Sequence, residues 1–356
     1  MFFASFVSLA LATSALAGPY KRFDGITVEL SGPAASVGSV DDLKFTASVK
    51  NTGSEAVKIL KYGTILDEKL PTRSFTVTKD GAAVPFTGIK LSVSLNDLDD
   101  SAFTTIPAGE AVTVNHEVAS LFDFASAGPG KFSFEPITNF QVVGAEESTE
   151  KFSKVQATTA KVEVEVTGDV SKRELPHLNK RAVDICTTST RKSFIDSSYS
   201  EGKSLASGAS SYISSHGASD TLYRAYFGAT ATSRVTSIFN AVASENSGSR
   251  TLSCVDSLGA CSGGVIAYTV ISTTNIYFCS IFFNEVASTN LCSGTTVASR
   301  NVRGGTTLHE LTHAVGGTDD IQYGCAADQA LSDANSVANA DNFNCFSTQV
   351  YANTRC

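Results

Sequence analysis

The chain is expected to fold as two units, an all-β sandwich-like domain followed by an α+β domain. Three observations predict this. Residues 24–167 contain no cysteine and alternate apolar with polar residues in short runs, the period-two pattern of half-buried strands. All eight cysteines lie between Cys186 and Cys356. From Ala182 onward the apolar residues change to helical spacing. At 356 residues the chain is long enough for two domains, each with its own core.

The first seventeen residues, MFFASFVSLALATSALA, are an apolar run ending in the small-x-small triplet Ala15-Leu16-Ala17. This fits a secretory signal cleaved before Gly18, and the run is shorter than the ~20 residues a membrane span needs. No other stretch is apolar enough to span a bilayer, so a membrane partner is not expected. Next come ITVEL, LKFTASVK, SFTVTK, AVTVNHEV, KFSFEP and AKVEVEV, separated by turn signals such as NTGS, KDGA and AGPG. Short alternating runs between such turns predict an antiparallel β-sandwich over about 24–167. Residues 168–181, GDVSKRELPHLNKR, carry the basic pairs Lys172-Arg173 and Lys180-Arg181, a proline and no core pattern. They read as an exposed linker open to a dibasic-specific processing protease, which makes 18–181 a pro-region and 182–356 the mature domain.

In the mature domain SYSEGKSLASGASSYISS, SDTLYRAYFG and TSRVTSIFNAVASE predict helices. VIAYTVIS and NIYFCSIFF, rich in β-branched and aromatic residues around STT, predict a strand pair. A helix through residues 309–313 and a helical tail over QALSDANSVANADNFNCFSTQVY complete an α+β domain. An even cysteine number behind a signal peptide predicts disulfides in an oxidising compartment, and the absence of any C-x-x-C pair argues against structural zinc. The net charge of −8, from 27 basic and 35 acidic residues, gives no support to a nucleic-acid or anionic-membrane surface. No N-x-S/T acceptor is present.

The chemistry concentrates in TTLHELTHAVGGTDDIQYG, residues 306–324. His309 and His313 lie one helical turn apart and project from one face, so both imidazoles can reach one cation. Glu310, one position from His309, can sit beside a water at that cation without being a ligand. This is the H-E-x-x-H arrangement of zinc peptidases, or zincins. Gly316-Gly317 ends the helix and lets the chain turn back. No glutamate follows Glu310 and no histidine follows His313, so a third ligand falls to an aspartate, with Asp319 and Asp320 nearest. A longer template, H-E-x-x-H-x-x-G-x-x-[H/D], reaches Asp319, but it is accompanied by a methionine-containing turn and Met1 is the only methionine. At this point both aspartates stay open.

His309-Glu310-Leu311-Thr312-His313 followed by Gly317-Thr318-Asp319-Asp320-Ile321-Gln322-Tyr323-Gly324 resembles the paired H-E-x-x-H and G-T-x-D-x-x-Y-G motifs of the deuterolysin family, the aspzincins. The resemblance implies a zincin-type fold and one Zn²⁺ per chain, held by His309, His313 and Asp320. It implies Glu310 as general base and Tyr323 as the group that polarises the scissile carbonyl. It extends to the layout of signal, cysteine-free pro-region, dibasic junction and mature domain. By the same likeness Cys186 pairs with Cys254, Cys261 with Cys279 and Cys292 with Cys356, leaving Cys325 for Cys345. The implied activity is that of a secreted, monomeric zinc endopeptidase made as an inactive precursor, with a preference for basic protein substrates. The mature domain, with 13 acidic against 9 basic residues, agrees with that preference. Steric cover by the pro-region, or ligation by His177 near the junction, would keep the precursor silent. The competing function is a non-catalytic secreted adhesion or binding module with a structural zinc site, and a remoter one is a metallohydrolase of non-peptide bonds. Structural zinc sites close with a fourth protein ligand, which a three-ligand set lacks.

Overall fold

The computed structural model describes residues 25–144, 152–175, 186 and 188–356. The expected signal segment, His177 and the Lys180-Arg181 pair lie outside the described residues. The architecture is mixed α and β with several sheets.

Among the described residues thirteen strands precede the first long helix: β1 (Ile26–Ser31), β2 (Ser36–Ser39), β3 (Lys44–Asn51), β4 (Val57–Leu60), β5 (Phe75–Lys79), β6 (Ala82–Ala83), β7 (Ile89–Val93), β8 (Phe103–Ile106), β9 (Ala111–Glu117), β10 (Gly130–Pro136), β11 (Asn139–Gly144), β12 (Ser153–Gln156) and β13 (Val162–Asp169). Twelve of them form three sheets, ordered β1-β3-β9, β2-β13-β10-β5-β6 and β12-β11-β4-β8. Alternation is what builds them. Along β3 the side chains of Phe45, Ala47 and Val49 are buried while Lys44 and Lys50 face solvent, so one face of the strand supplies the core. Phe45 sits 5.2 Å from the Phe75 ring and 4.6 Å from Phe134, which joins the faces of two sheets.

The remaining strand, β7, does something else. β7 pairs antiparallel with β15 (Val265–Val270), which pairs with β16 (Asn275–Phe278) and through it with β14 (Leu252–Ser253). The N-terminal part therefore gives one strand to the sheet of the C-terminal part. Its sequence, IKLSV, alternates like a half-solvated strand, yet all five residues are buried. The apolar core of the N-terminal part continues onto this sheet through Val265, Tyr268, Val270 and Tyr277. The segment read as an exposed linker also holds more structure than expected. β13 runs to Asp169, Arg173 pairs with Asp41 at 2.7 Å and Asp169 at 2.8 Å, and Leu175 is buried in the core.

The C-terminal part opens with α2 (Ser189–His216), α3 (Thr221–Phe227) and α4 (Thr232–Ala243), the one-turn α1 (Phe124–Ala127) lying earlier. The buried positions of α2, Ile195, Ser198, Gly202, Leu205, Ala206, Ala209 and Ile213, follow three- and four-residue spacing and so form one stripe. His216 is exposed at the end of α2, as its sequence position suggested. α5 (Arg303–Leu311), α6 (Cys325–Asp328), α7 (Asp333–Ser336) and α8 (Ala340–Arg355) follow. Two boundaries differ from the sequence reading. The second strand stops at Phe278 and Ser280–Asn284 is a 3₁₀ turn, while the helical tail splits into α7 and α8, the latter starting after Asn339. Phe343 and Phe346 of α8 pack on Phe227 and Phe239 in a second core. The disulfides are Cys186–Cys254, Cys261–Cys279, Cys292–Cys356 and Cys325–Cys345, the pairing the family resemblance implied. No described helix is long and apolar enough to cross a membrane.

Candidate metal centre

The motif helix α5 is wedged between α2 and α8 by glycines. A Cβ on Gly202 would meet the Gly304 carbonyl at 3.0 Å, and one on Gly305 would meet Asn344 Oδ1 at 2.3 Å. The close approach buries His309 and Glu310 completely. Beyond Leu311 the helix widens into a π turn over Thr312–Gly316, and Gly317 at φ 70° ends it in the left-handed conformation that glycine adopts without strain. The chain then reverses over Thr318–Tyr323. Asn339 holds this loop, its Oδ1 accepting the Ile321 N–H at 2.9 Å and the Gln322 N–H at 3.2 Å.

The reversal brings Asp320, and not Asp319, to the histidines. Asp320 Oδ1 lies 3.0 Å from His309 Nε2 and 3.1 Å from His313 Nε2. Asp319 points the other way and pairs with Arg73 at 2.6 Å and Lys90 at 2.8 Å. His313 Nδ1 lies 2.9 Å from the Thr318 carbonyl, which only accepts, so Nδ1 carries the proton and Nε2 keeps its lone pair. That Nε2 is buried and makes no hydrogen bond. His309 Nδ1 faces Asp341 Oδ1 at 3.6 Å.

The electrostatics are those of a place built for a cation. Burial opposes charge on His309, yet its hydrogen bond to Asp320 and the nearby Asp341 carboxylate hold its pKa up at about 10. Burial pushes the His313 pKa below its ordinary value. For Asp320 burial works upward, but the two imidazoles hold the carboxyl far below the usual range. Two imidazole nitrogens and one carboxylate oxygen, all within 4.8 Å of one another, are the donor set a divalent metal takes in a hydrolytic site. The orphaned His313 Nε2 is the observation that makes this set fit a metal better than a self-satisfied polar cluster.

Glu310 faces this centre. Its Oε2 accepts the Thr269 hydroxyl at 2.6 Å, Oε1 has no hydrogen-bond partner, and burial pushes its pKa up to about 8. Tyr323 is buried, which raises its phenol pKa well above the ordinary value and keeps the proton available for donation. The hydroxyl donates to the Leu91 carbonyl at 3.1 Å. All five residues singled out in the sequence thus share one site.

Sequence reasoning missed four contributors. Asp341, buried on α8, faces His309 and accepts Arg300 at 2.6 Å and the Gly324 N–H at 2.8 Å. Thr269 comes from β15, and Leu91 and Lys90 come from β7. A metal-bound imidazole needs an acceptor for its other ring nitrogen, which calls for a group such as the Asp341 carboxylate but names no position in the chain.

A helix-borne histidine pair, an aspartate on the returning loop, an adjacent buried glutamate and a phenol donor define a metal-dependent peptidase. The chain belongs to the Deuterolysin metalloprotease (M35) family, whose match spans residues 2–355, and it is a zinc metalloendopeptidase of that family. The Peptidyl-Lys metalloendopeptidase of Armillaria mellea is 29% identical over 90% of this chain and 91% of its own length. A Neutral protease 2 homolog of Phaeosphaeria nodorum is 31% identical over 88% and 89%. Penicillolysin of Penicillium citrinum is 29% identical over 95% and 96%.

Proposed function

We propose that this chain is a secreted precursor whose signal (1–17) and pro-region (18–181) are removed, the latter at Lys180-Arg181 by a dibasic-specific protease, to leave a monomeric endopeptidase over 182–356. One Zn²⁺ is held by His309, His313 and Asp320. The convergence of His309 Nε2 and His313 Nε2 on Asp320 Oδ1 carries this reading. Zinc, when bound, supplies Lewis acidity and lowers the pKa of water toward ~7. Glu310, buried and with Oε1 unpaired, takes a proton from the attacking water as its oxygen bonds to the peptide carbonyl carbon. Tyr323 donates its phenol proton in a hydrogen bond to the developing oxyanion. Glu310 then passes the proton to the amine nitrogen as the C–N bond breaks. Asp341 orients His309 through Nδ1.

Protein substrates rich in basic residues suit the acidic mature domain, and the relative from Armillaria mellea is named for a lysine preference. The test joins activity to metal content. The processed protein should cleave casein and histone in a chelator-sensitive manner and carry one zinc. Asp320→Ala should lose the zinc while Asp319→Ala keeps it. Zinc retained in Asp320→Ala would exclude the ligand set, and cleavage indifferent to chelators would exclude the mechanism.

A further inference from the structure

β7 does more than cover the metal centre. It lies on β15, and among the described strands nothing else pairs with that side of β15, so its removal leaves β15 as a sheet edge beside the metal centre. The register is antiparallel, with Ile89 opposite Val270, Lys90 opposite Thr269 and Leu91 opposite Tyr268. An exposed edge of this kind binds extended peptides by adding a strand.

The placement of one peptide bond is specific. The Leu91 carbonyl oxygen accepts the Tyr323 hydroxyl at 3.1 Å and lies 3.2 Å from His309 Nε2. Its own N–H donates to Asp320 Oδ2 at 2.7 Å. The Leu91–Ser92 bond therefore has its oxygen at the oxyanion donor and beside one of the two histidines of the centre. Two residues on, the Val93 carbonyl accepts Arg300 Nη1 at 2.9 Å. Both ends are anchored, by Ile89 N–H on the Pro71 carbonyl at 3.0 Å and Ser94 N–H on the Gly264 carbonyl at 2.8 Å.

Lys90 precedes this bond by one residue. It is buried, and its ammonium donates to the Thr318 carbonyl and pairs with Asp319 at 2.8 Å. Both partners belong to the loop that carries Asp320, and Asp319 keeps its place in the C-terminal part by backbone bonds, 2.6 Å to Ala338 and 2.9 Å from Ala340. When the N-terminal part leaves, Arg73 and Lys90 go with it, and Asp319 is left without either cation. A half-buried carboxylate stripped of both its cations is placed to take another one.

We propose that Ile89–Val93 is a tethered substrate analogue, with Leu91–Ser92 at the scissile position, and that Asp319 with the Thr318 carbonyl is a subsite for a lysine or arginine at the second residue before the cut bond. This rests on the endopeptidase reading above and adds its register and one specificity determinant.

The test uses enzyme released by processing of the full chain. Cut sites are mapped across a peptide library. Substrates with lysine or arginine at the second residue before the cut should show a kcat/KM at least about ten-fold above alanine, the scale of a partly buried charge pair. That ratio should fall to near one in Asp319→Asn and return in Asp319→Glu. A synthetic peptide spanning Thr87–Asp97 should be cut between Leu91 and Ser92. Cleavage of the library with no preference at that residue, or cleavage of the peptide at another bond, overturns the inference and leaves the endopeptidase reading intact. A library left wholly uncut overturns the endopeptidase reading itself.

Discussion

At the residue scale the proposed roles separate holding a cation from moving a proton. His309, His313 and Asp320 spend their lone pairs toward one point, whereas Glu310 faces it with an unpaired oxygen and burial that lifts its pKa to about 8. A base with that value takes a proton and gives it back near neutrality. Glu310→Gln keeps the shape and the Thr269 contact but cannot accept a proton. It should retain zinc and lose about 10²–10⁴ in kcat, the range for a positioned general base; metal analysis and casein turnover on one preparation check both halves. Asp341 gives a different signature. Asp341→Asn weakens the orientation of His309 and the hold on Arg300, so zinc affinity should fall about 10–100-fold, read by competition with a fluorescent chelator. The residues legible in the sequence were those whose spacing is set by one helix and its return loop. Asp341, Thr269 and Lys90 were not, since each reaches the site across tertiary contacts that no local pattern encodes.

At the element scale α5 is positioned by the absence of side chains. Gly202, Gly304 and Gly305 let three helices meet, and the same packing withdraws His309 from water. Gly305→Ala drives a methyl to 2.3 Å from Asn344 Oδ1 and close to Thr348. Such overpacking costs about 1–3 kcal/mol. Gly208 lies on the long helix α2, where an added methyl would meet nothing within 4 Å, so Gly208→Ala should stabilise by about 0.5–1 kcal/mol through helix propensity alone. Thermal unfolding of the two variants should therefore move in opposite directions, and a shared direction would show that the glycines of α5 are not packing residues. The helices and the β15–β16 pair were readable from periodicity because each buries one face or two. The break before α8 was not, because, of the Ser, Asp and Asn residues spread over 332–342, it is Ser332 that caps a helix with its side chain, while Asn339 turns its own to the Ile321–Gln322 loop.

At the scale of the whole molecule the N-terminal and C-terminal parts share a sheet and a core, and β7 contacts the candidate metal centre. IKLSV has the alternation of a strand with one wet face, and only the partners of Lys90 across the interface explain why that face is dry. The shared burial also sets how stability depends on pH. Glu285 is buried, with Oε2 unpaired and Oε1 accepting from Thr306 at 2.8 Å. Burial pushes its pKa from 4.5 up to about 8. Between these values the folded chain holds a proton that the unfolded chain has released, so the unfolded state binds fewer protons and stability falls as pH rises. The contribution is complete below about 4.5 and gone above about 8. Asp67, raised by burial to about 6, acts in the same direction over a narrower window. Glu285→Gln keeps an oxygen for Thr306 and has no proton to lose. Its melting temperature should match the parent near pH 5 and exceed it near pH 8, with a flatter profile between. A parent whose stability rises from pH 5 to 8, or a variant that tracks it in parallel, would mean that Glu285 is charged in the fold and held by a cation such as Arg300.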